Sequence, residues 1–185
     1  MVCIFATIRH TAMKNLDTTE TLNWVQRCEI VQCSNRRLRF TADSEKCVRI
    51  QYPKKPSEVI PIALMVTGVG TELERNYDGS LFWITDFGIW GDEQERIARV
   101  LLAKIRGTGV DEANLEKWPG TAFDEHELDS QRAAIVISLS IGWDAYYVPL
   151  HKDHFVFVSH DEFIDVHCRT DESFSHWTQI EALWR

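Results

Sequence analysis

Four of the seven histidines fall in one C-terminal stretch, at His151, His154, His160 and His167, interleaved with Asp144, Asp153, Asp161, Glu162 and Asp165. Imidazole nitrogens and carboxylate oxygens are the groups that zinc, manganese and iron take as ligands. His151 and His154 lie three apart and Asp165 and His167 two apart, so each pair could be presented to one centre. The set His151, His154, Asp165 and His167 therefore defines one functional expectation, a small metal-dependent hydrolase. His160 fits that set poorly. In a simple meander the two polar breaks lie at opposite ends of the middle strand, which puts His151 and His154 about 15 Å or more from His160 at about 3.3 Å per residue.

A second group is the carboxylate pair Asp86 and Asp144, each set in an aromatic-rich run. Burying an unpaired charge costs several kcal/mol and forces a partner or a raised pKa. If the two runs are adjacent strands, the carboxylates share a cleft and can serve as general acid and base. The alternative is that each bonds backbone N–H groups or an arginine such as Arg132 or Arg169. Nucleophilic catalysis has less support. Ser159-His160-Asp161 spells the letters of a triad, but strand neighbours project to opposite faces. His167 and Cys168 share that problem, and Cys168 suits a core thiol. No G-x-S-x-G, Walker A or H-E-x-x-H pattern occurs. Gly68-Val69-Gly70 lacks the third glycine of a dinucleotide turn.

Charge supplies a third reading. The net charge is −8, unevenly placed: residues 1–60 carry a balance of +4 and the remainder −12. Such an acidic body disfavours nucleic acid, whose binding depends on counterion release to Lys and Arg, and suits a basic protein partner. The favoured function on sequence grounds is a non-catalytic acidic interaction domain, as an inhibitor or immunity-like protein binding a basic toxin or nuclease would be. Asp124, Glu125, Glu127, Asp153, Asp161 and Glu162 are its candidate partner-binding residues, because turns and loops expose them. The charge also serves solubility. No cofactor is called for. The five scattered cysteines lack any C-x-x-C spacing, which points to a reducing, cytoplasmic setting. The N-terminus lacks a basic segment ahead of its apolar residues, and no run reaches the roughly 18 apolar residues of a membrane span.

The elements that must position these groups follow from periodicity. Asp17-Thr18-Thr19-Glu20 has capping-box spacing and predicts a helix over about 18–32. Leu38 and Phe40, then Val48 and Ile50, alternate with charged or polar residues on either side of a polar turn, which predicts a β-hairpin. Val59 to Val69 suits a buried strand whose start Pro61 weakens. Ser80 to Trp90 predicts a second strand. Asp92 to Arg106 predicts a helix with acids first and bases last, packing an Ile97, Leu101, Ile105, Ala98 and Leu102 stripe on a sheet. Residues 107–127 look like a loop. Ser130 to Ile141 predicts a helix that Gly142 stops, and Trp143 to Leu150, Phe155 to Ser159 and Phe163 to Cys168 predict a three-stranded meander. A last helix from Asp171 to Trp184 carries Phe174, Trp177, Ile180 and Trp184 as core aromatics and aliphatics. The chain of 185 residues fits one α+β domain, with a mixed or mostly antiparallel sheet of about five to seven strands and two or three helices packed on it.

Overall fold

The structure, a computed structural model, describes residues 13–33, 37–41, 45–68, 78–87, 93–107, 112–150 and 153–184. Its strands are β1 (Lys14–Leu16), β2 (Ile30–Gln32), β3 (Leu38–Phe40), β4 (Lys46–Gln51), β5 (Ser80–Asp86), β6 (Gly120–Phe123), β7 (Asp144–Pro149), β8 (His154–Ser159) and β9 (Phe163–Cys168). Its helices are α1 (Thr18–Arg27), α2 (Pro56–Val66), α3 (Glu93–Ile105), α4 (Leu128–Ile141) and α5 (Asp171–Trp184). The fold is α+β. Seven strands form one sheet in the order β1-β6-β5-β7-β8-β9-β4, every pairing antiparallel, and β2 and β3 form a separate two-stranded ribbon. The described residues hold five α-helices, more than the two or three expected.

Strict alternation divides the sheet into two packed faces. Phe82, Ile84, Tyr147, Val156, Val158, Ile164 and Val166 meet Ile62 of α2, Leu102 of α3, Ile135 of α4 and Trp177 of α5. Leu81, Trp83, Tyr146, Val148, Phe155 and Phe157 on the reverse face are covered by Trp24 and Val25 of α1 and by Ile30, Leu38 and Phe40 of the ribbon. The C-terminal helix is core, as its pattern predicts: Trp177 is buried, and Phe174, Ile180 and Trp184 pack against the same cluster.

The local predictions hold where chemistry is local. Asp17 accepts from the Glu20 N–H at 2.8 Å while the Glu20 carboxylate takes the Asp17 N–H at 3.2 Å, a complete capping box. Gly142 closes α4 in the left-handed region, φ 73°, a conformation in which a side chain is strained. The meander strands fall where alternation puts them.

Other expectations are corrected. The first helix stops at Arg27. Glu29 turns at φ 59° and Ile30–Gln32 begins the ribbon, so the apparent helical spacing through Val31 runs past the true end. Leu38–Phe40 and Lys46–Gln51 are both strands, but they do not pair with each other: β3 pairs with β2, while β4 pairs with β9, Val48 opposite Val166. A period of two encodes a face, not a partner. Residues 56–66 are helical. Pro56 stands at the first helical position, where its missing N–H costs nothing, and Glu58 takes the Lys54 and Lys55 N–H groups at 2.8 and 3.2 Å. Val59, Ile62, Ala63 and Val66 then form the buried stripe.

The predicted stripe of α3 is displaced. Ala98, Leu102 and Ala103 are buried and Ile105 packs on the core, but Ile97 and Leu101 are half exposed. Within 107–127, the segment taken as loop includes a 3-10 turn over Glu112–Lys117 and strand β6. The reach from α3 to β6 is fixed by Arg106. Its buried guanidinium donates to the Trp118 and Pro119 carbonyls at 2.5 and 3.2 Å, and burial pushes its pKa down.

Candidate functional site

One row of the sheet runs Trp83, Tyr146, Phe157, Asp165, Arg49 across β5, β7, β8, β9 and β4. Its first three members form an aromatic floor, with Tyr146 ring centroids 5.9 Å from Trp83 and 4.7 Å from Phe157. Above the floor, on the side of α1 and the ribbon, lies a cavity of about 830 Å³. Arg37, Thr18 and Gln32 stand at its ribbon side, and Phe87, Pro119 and Glu116 line another part of its wall. At one end stand Asp86, Asp144, Ser159, His160 and Asp161.

That end wall is built by strand termini. Asp86 is the last residue of β5 and Asp144 the first of β7, and the two are register partners across a β-bulge after Ile84. The bulge re-aims the strand, as bulges do. Asp86 is therefore exposed at the strand end, which corrects the expectation of a carboxylate buried within an apolar run. His160 follows the end of β8. Asp144 Oδ1 accepts from the His160 backbone N–H at 2.6 Å and from ring Nδ1 at 2.9 Å, so one carboxylate oxygen both caps the β8–β9 turn and sets the ring. Ring Nε2 lies 3.5 Å from Asp161 Oδ1. One ligating atom each from Asp86, Asp144 and His160 lie within 4.8 Å of one another. The Asp144 hydrogen bond raises the His160 pKa above its ordinary 6.5; burial opposes it, and the charges of Asp144, Asp161 and Asp86 add to the rise. Ser159 is not part of a Ser-His-Asp relay: its Oγ accepts from the Asp161 N–H at 3.2 Å, while the histidine turns to Asp144.

The carboxylates singled out as a possible pair thus converge. The metal-ligand set fares differently. His151 lies outside the described residues. His154 is buried against Trp177 on the helix-covered face, ring centroids 5.2 Å apart, whereas Asp165 and His167 point to the reverse face. Asp165 and His167 meet Cys47 there. Both Asp165 oxygens already accept from Arg49, at 2.7 and 2.8 Å. His167 Nδ1 is 2.6 Å from Glu45 Oε1, and its ring stacks on Phe155 at 4.5 Å. Burial pushes the Cys47 thiol up to about 12. In that cluster Asp165 and His167 are thus taken up by Arg49 and Glu45, while Cys47 is exposed.

The candidate partner-binding acids are split between two ends of the sheet. Asp124, Glu125 and Glu127 form the turn from β6 into α4, where Glu127 takes the Met13 and Asp124 N–H groups, both at 2.9 Å. Asp153 precedes β8 at the same end and holds Arg169. Asp161 and Glu162 sit at the opposite end, beyond the other terminus of β8, with Glu162 exposed at φ 62°. Only Asp161 of the six lines the cavity. The sequence sets His160 apart from His151 and His154 but offers no partner for it, and the β5–β7 pairing that gives it to Asp86 leaves no local signal.

Fold and site together define an α+β protein with an aromatic-floored pocket closed at one end by two carboxylates and an imidazole. No protein-family model matches the sequence, and neither the curated proteins nor the solved structures contain a match. Among the described residues no helix is long and apolar enough to cross a membrane.

Proposed function

We propose that the protein binds a small ligand in this pocket and acts on it by acid–base chemistry at Asp86, Asp144 and His160, as a hydrolase. The observation that carries this reading is the convergence of those three groups, from three strand ends, on a cavity of about 830 Å³. Pockets of roughly 300–1,000 Å³ suit metabolite-sized ligands. Trp83, Tyr146 and Phe157 offer a flat apolar surface for the body of the ligand. Asp144 holds the His160 ring and favours its protonated form, which makes the imidazole a proton donor and acceptor near neutral pH. Asp86 supplies the second carboxylate, on the adjacent strand. Turnover of p-nitrophenyl acetate and p-nitrophenyl phosphate tests the reading, with and without added Mn²⁺. His160→Ala and Asp86→Asn should each lower the rate about 100-fold, the usual scale of a lost general acid or base. His176→Ala, an exposed helix position, should not change it. Wild-type protein no faster than the His160→Ala variant on both esters sinks the hydrolase.

A second reading keeps the acidic interaction domain and a basic protein partner. It is favoured by the charge at the pocket, where Asp86, Asp144, Asp161 and Glu116 outnumber Arg37 and His160. Charge of this kind speeds encounter more than it sets affinity. Binding of an octa-arginine peptide should slow steeply as salt rises and weaken in Asp161→Asn, and a flat salt response removes the reading.

A further inference from the structure

We infer that Asp86, Asp144 and His160 hold a divalent transition-metal ion, Mn²⁺ or Zn²⁺, at the end wall of the pocket, with its remaining coordination positions open to the cavity. The inference rests on the site of the proposed function and recasts its chemistry: with an ion bound, Asp86, Asp144 and His160 would act as ligands, and water on the ion would supply the proton chemistry. Three arguments carry it. The first is donor chemistry: two carboxylate oxygens and one imidazole nitrogen match ions that accept mixed oxygen and nitrogen ligands, whereas Ca²⁺ and Mg²⁺ take oxygen alone. The second is spacing. Ligands bound at about 2.1 Å stand about 3 Å apart when adjacent and about 4.2 Å apart when opposed. The Asp144 Oδ1 to His160 Nδ1 separation of 2.9 Å already has the adjacent value, and the 4.8 Å limit on the whole trio leaves only small side-chain rotations to close it.

The third argument is a contrast within the molecule. The Cys47, Asp165 and His167 trio has similar spacing, but both Asp165 oxygens there already accept from Arg49, and His167 Nδ1 is engaged by Glu45, groups outside the trio. At the pocket, the Asp144–His160 bond is made between two of the proposed ligands themselves. Once the ring proton has left, Asp144 Oδ1 and His160 Nδ1 could both turn an electron pair to an ion beside that bond, and Oδ1 has a second lone pair for the His160 N–H. The trio stands where β5 ends, β7 begins and β8 gives way to its turn, and it borders a cavity able to admit a substrate beside the ion.

Calorimetric titration of the full chain with MnCl2 and with ZnCl2 tests the inference. One equivalent of at least one ion should bind, and Asp86→Asn and His160→Ala should each weaken it at least tenfold. Cys47→Ser and His176→Ala should leave it unchanged. Asp144→Ala is a poorer probe because it also removes the turn cap, and circular dichroism should confirm that the two informative variants remain folded. No heat with either ion up to millimolar concentration overturns the site. So does equal binding by wild type and both variants, which would mark adventitious surface binding. Ion binding without ester turnover sustains the metal site and removes the hydrolase, while turnover untouched by EDTA does the reverse.

Discussion

Asp144 joins three things at one oxygen atom: the start of β7, the backbone of the β8–β9 turn and the imidazole of His160. Asp144→Asn keeps an acceptor for the backbone N–H but removes the negative charge beside the ring. In metal-free buffer the His160 pKa should then fall toward its ordinary 6.5, because the Asp144 bond is the largest cause of its elevation. Imidazole proton shifts followed by NMR from pH 5 to 9 measure this directly, and a His160 titration unchanged by the substitution would remove Asp144 as its partner. Asp86 and Asp144 were legible in the sequence because a carboxylate in an apolar run demands an explanation. Their third companion was not. His160 stands near His154 in the chain, and the six residues of β8 carry the two to opposite ends of the strand.

At the scale of elements, what could be read was what neighbours in sequence decide. The capping box of α1, the Gly142 stop of α4 and the three meander strands depend on residues a few positions apart. The partners of β3, β4 and β5 depend on long-range pairing, and a sequence run carries no such address. Two contacts that fix these longer connections are testable. A Cβ added at Gly120 would lie 2.2 Å from Thr21 Oγ1 and 3.1 Å from its Cγ2, so α1 seats on β6 only because that position is bare. Gly120→Ala should cost about 1–3 kcal/mol by overpacking, and combining it with Thr21→Ala should recover part of that in urea unfolding. Additive losses would mean that the two residues do not meet. Arg106→Met removes the donor to the Trp118 and Pro119 carbonyls. The Pro119 carbonyl keeps the Ile84 N–H at 3.0 Å, so the Trp118 carbonyl is the acceptor that loses its donor, at about 1–3 kcal/mol, partly offset by relief of a buried charge. A net loss of about 2 kcal/mol in the same assay is expected, together with weaker ligand binding, since Pro119 lines the pocket.

Over the whole molecule, charged residues of the first third pair with charged residues of the remainder across the fold. Arg49 meets Asp165, Lys46 meets Asp171, and Arg169 reaches back to Glu29. This cross-pairing has no local signal in the sequence. It also sets how stability should depend on pH. Burial raises the Glu45 pKa, but its bonds to His167 and to the Phe40 N–H outweigh that and leave it below its ordinary 4.5. A depressed carboxylate stabilises the fold above pH 4.5, and the gain disappears as pH falls through the folded value. His160 has the opposite sign: its raised pKa stabilises the fold below pH 6.5, and that gain disappears as pH rises through the folded value. Both groups contribute fully only between these limits. The urea midpoint in EDTA-treated buffer should therefore be highest between pH 4.5 and 6.5 and decline on either side. Each decline should be small, about 1 kcal/mol or less, because His160 is half exposed and solvent screens the pair. Glu45→Gln should flatten the acid limb alone and Asp144→Asn the alkaline limb alone. If either substitution moved the other limb, or if the midpoint kept rising to pH 9, these two pairs would not be the groups that link folding to protons.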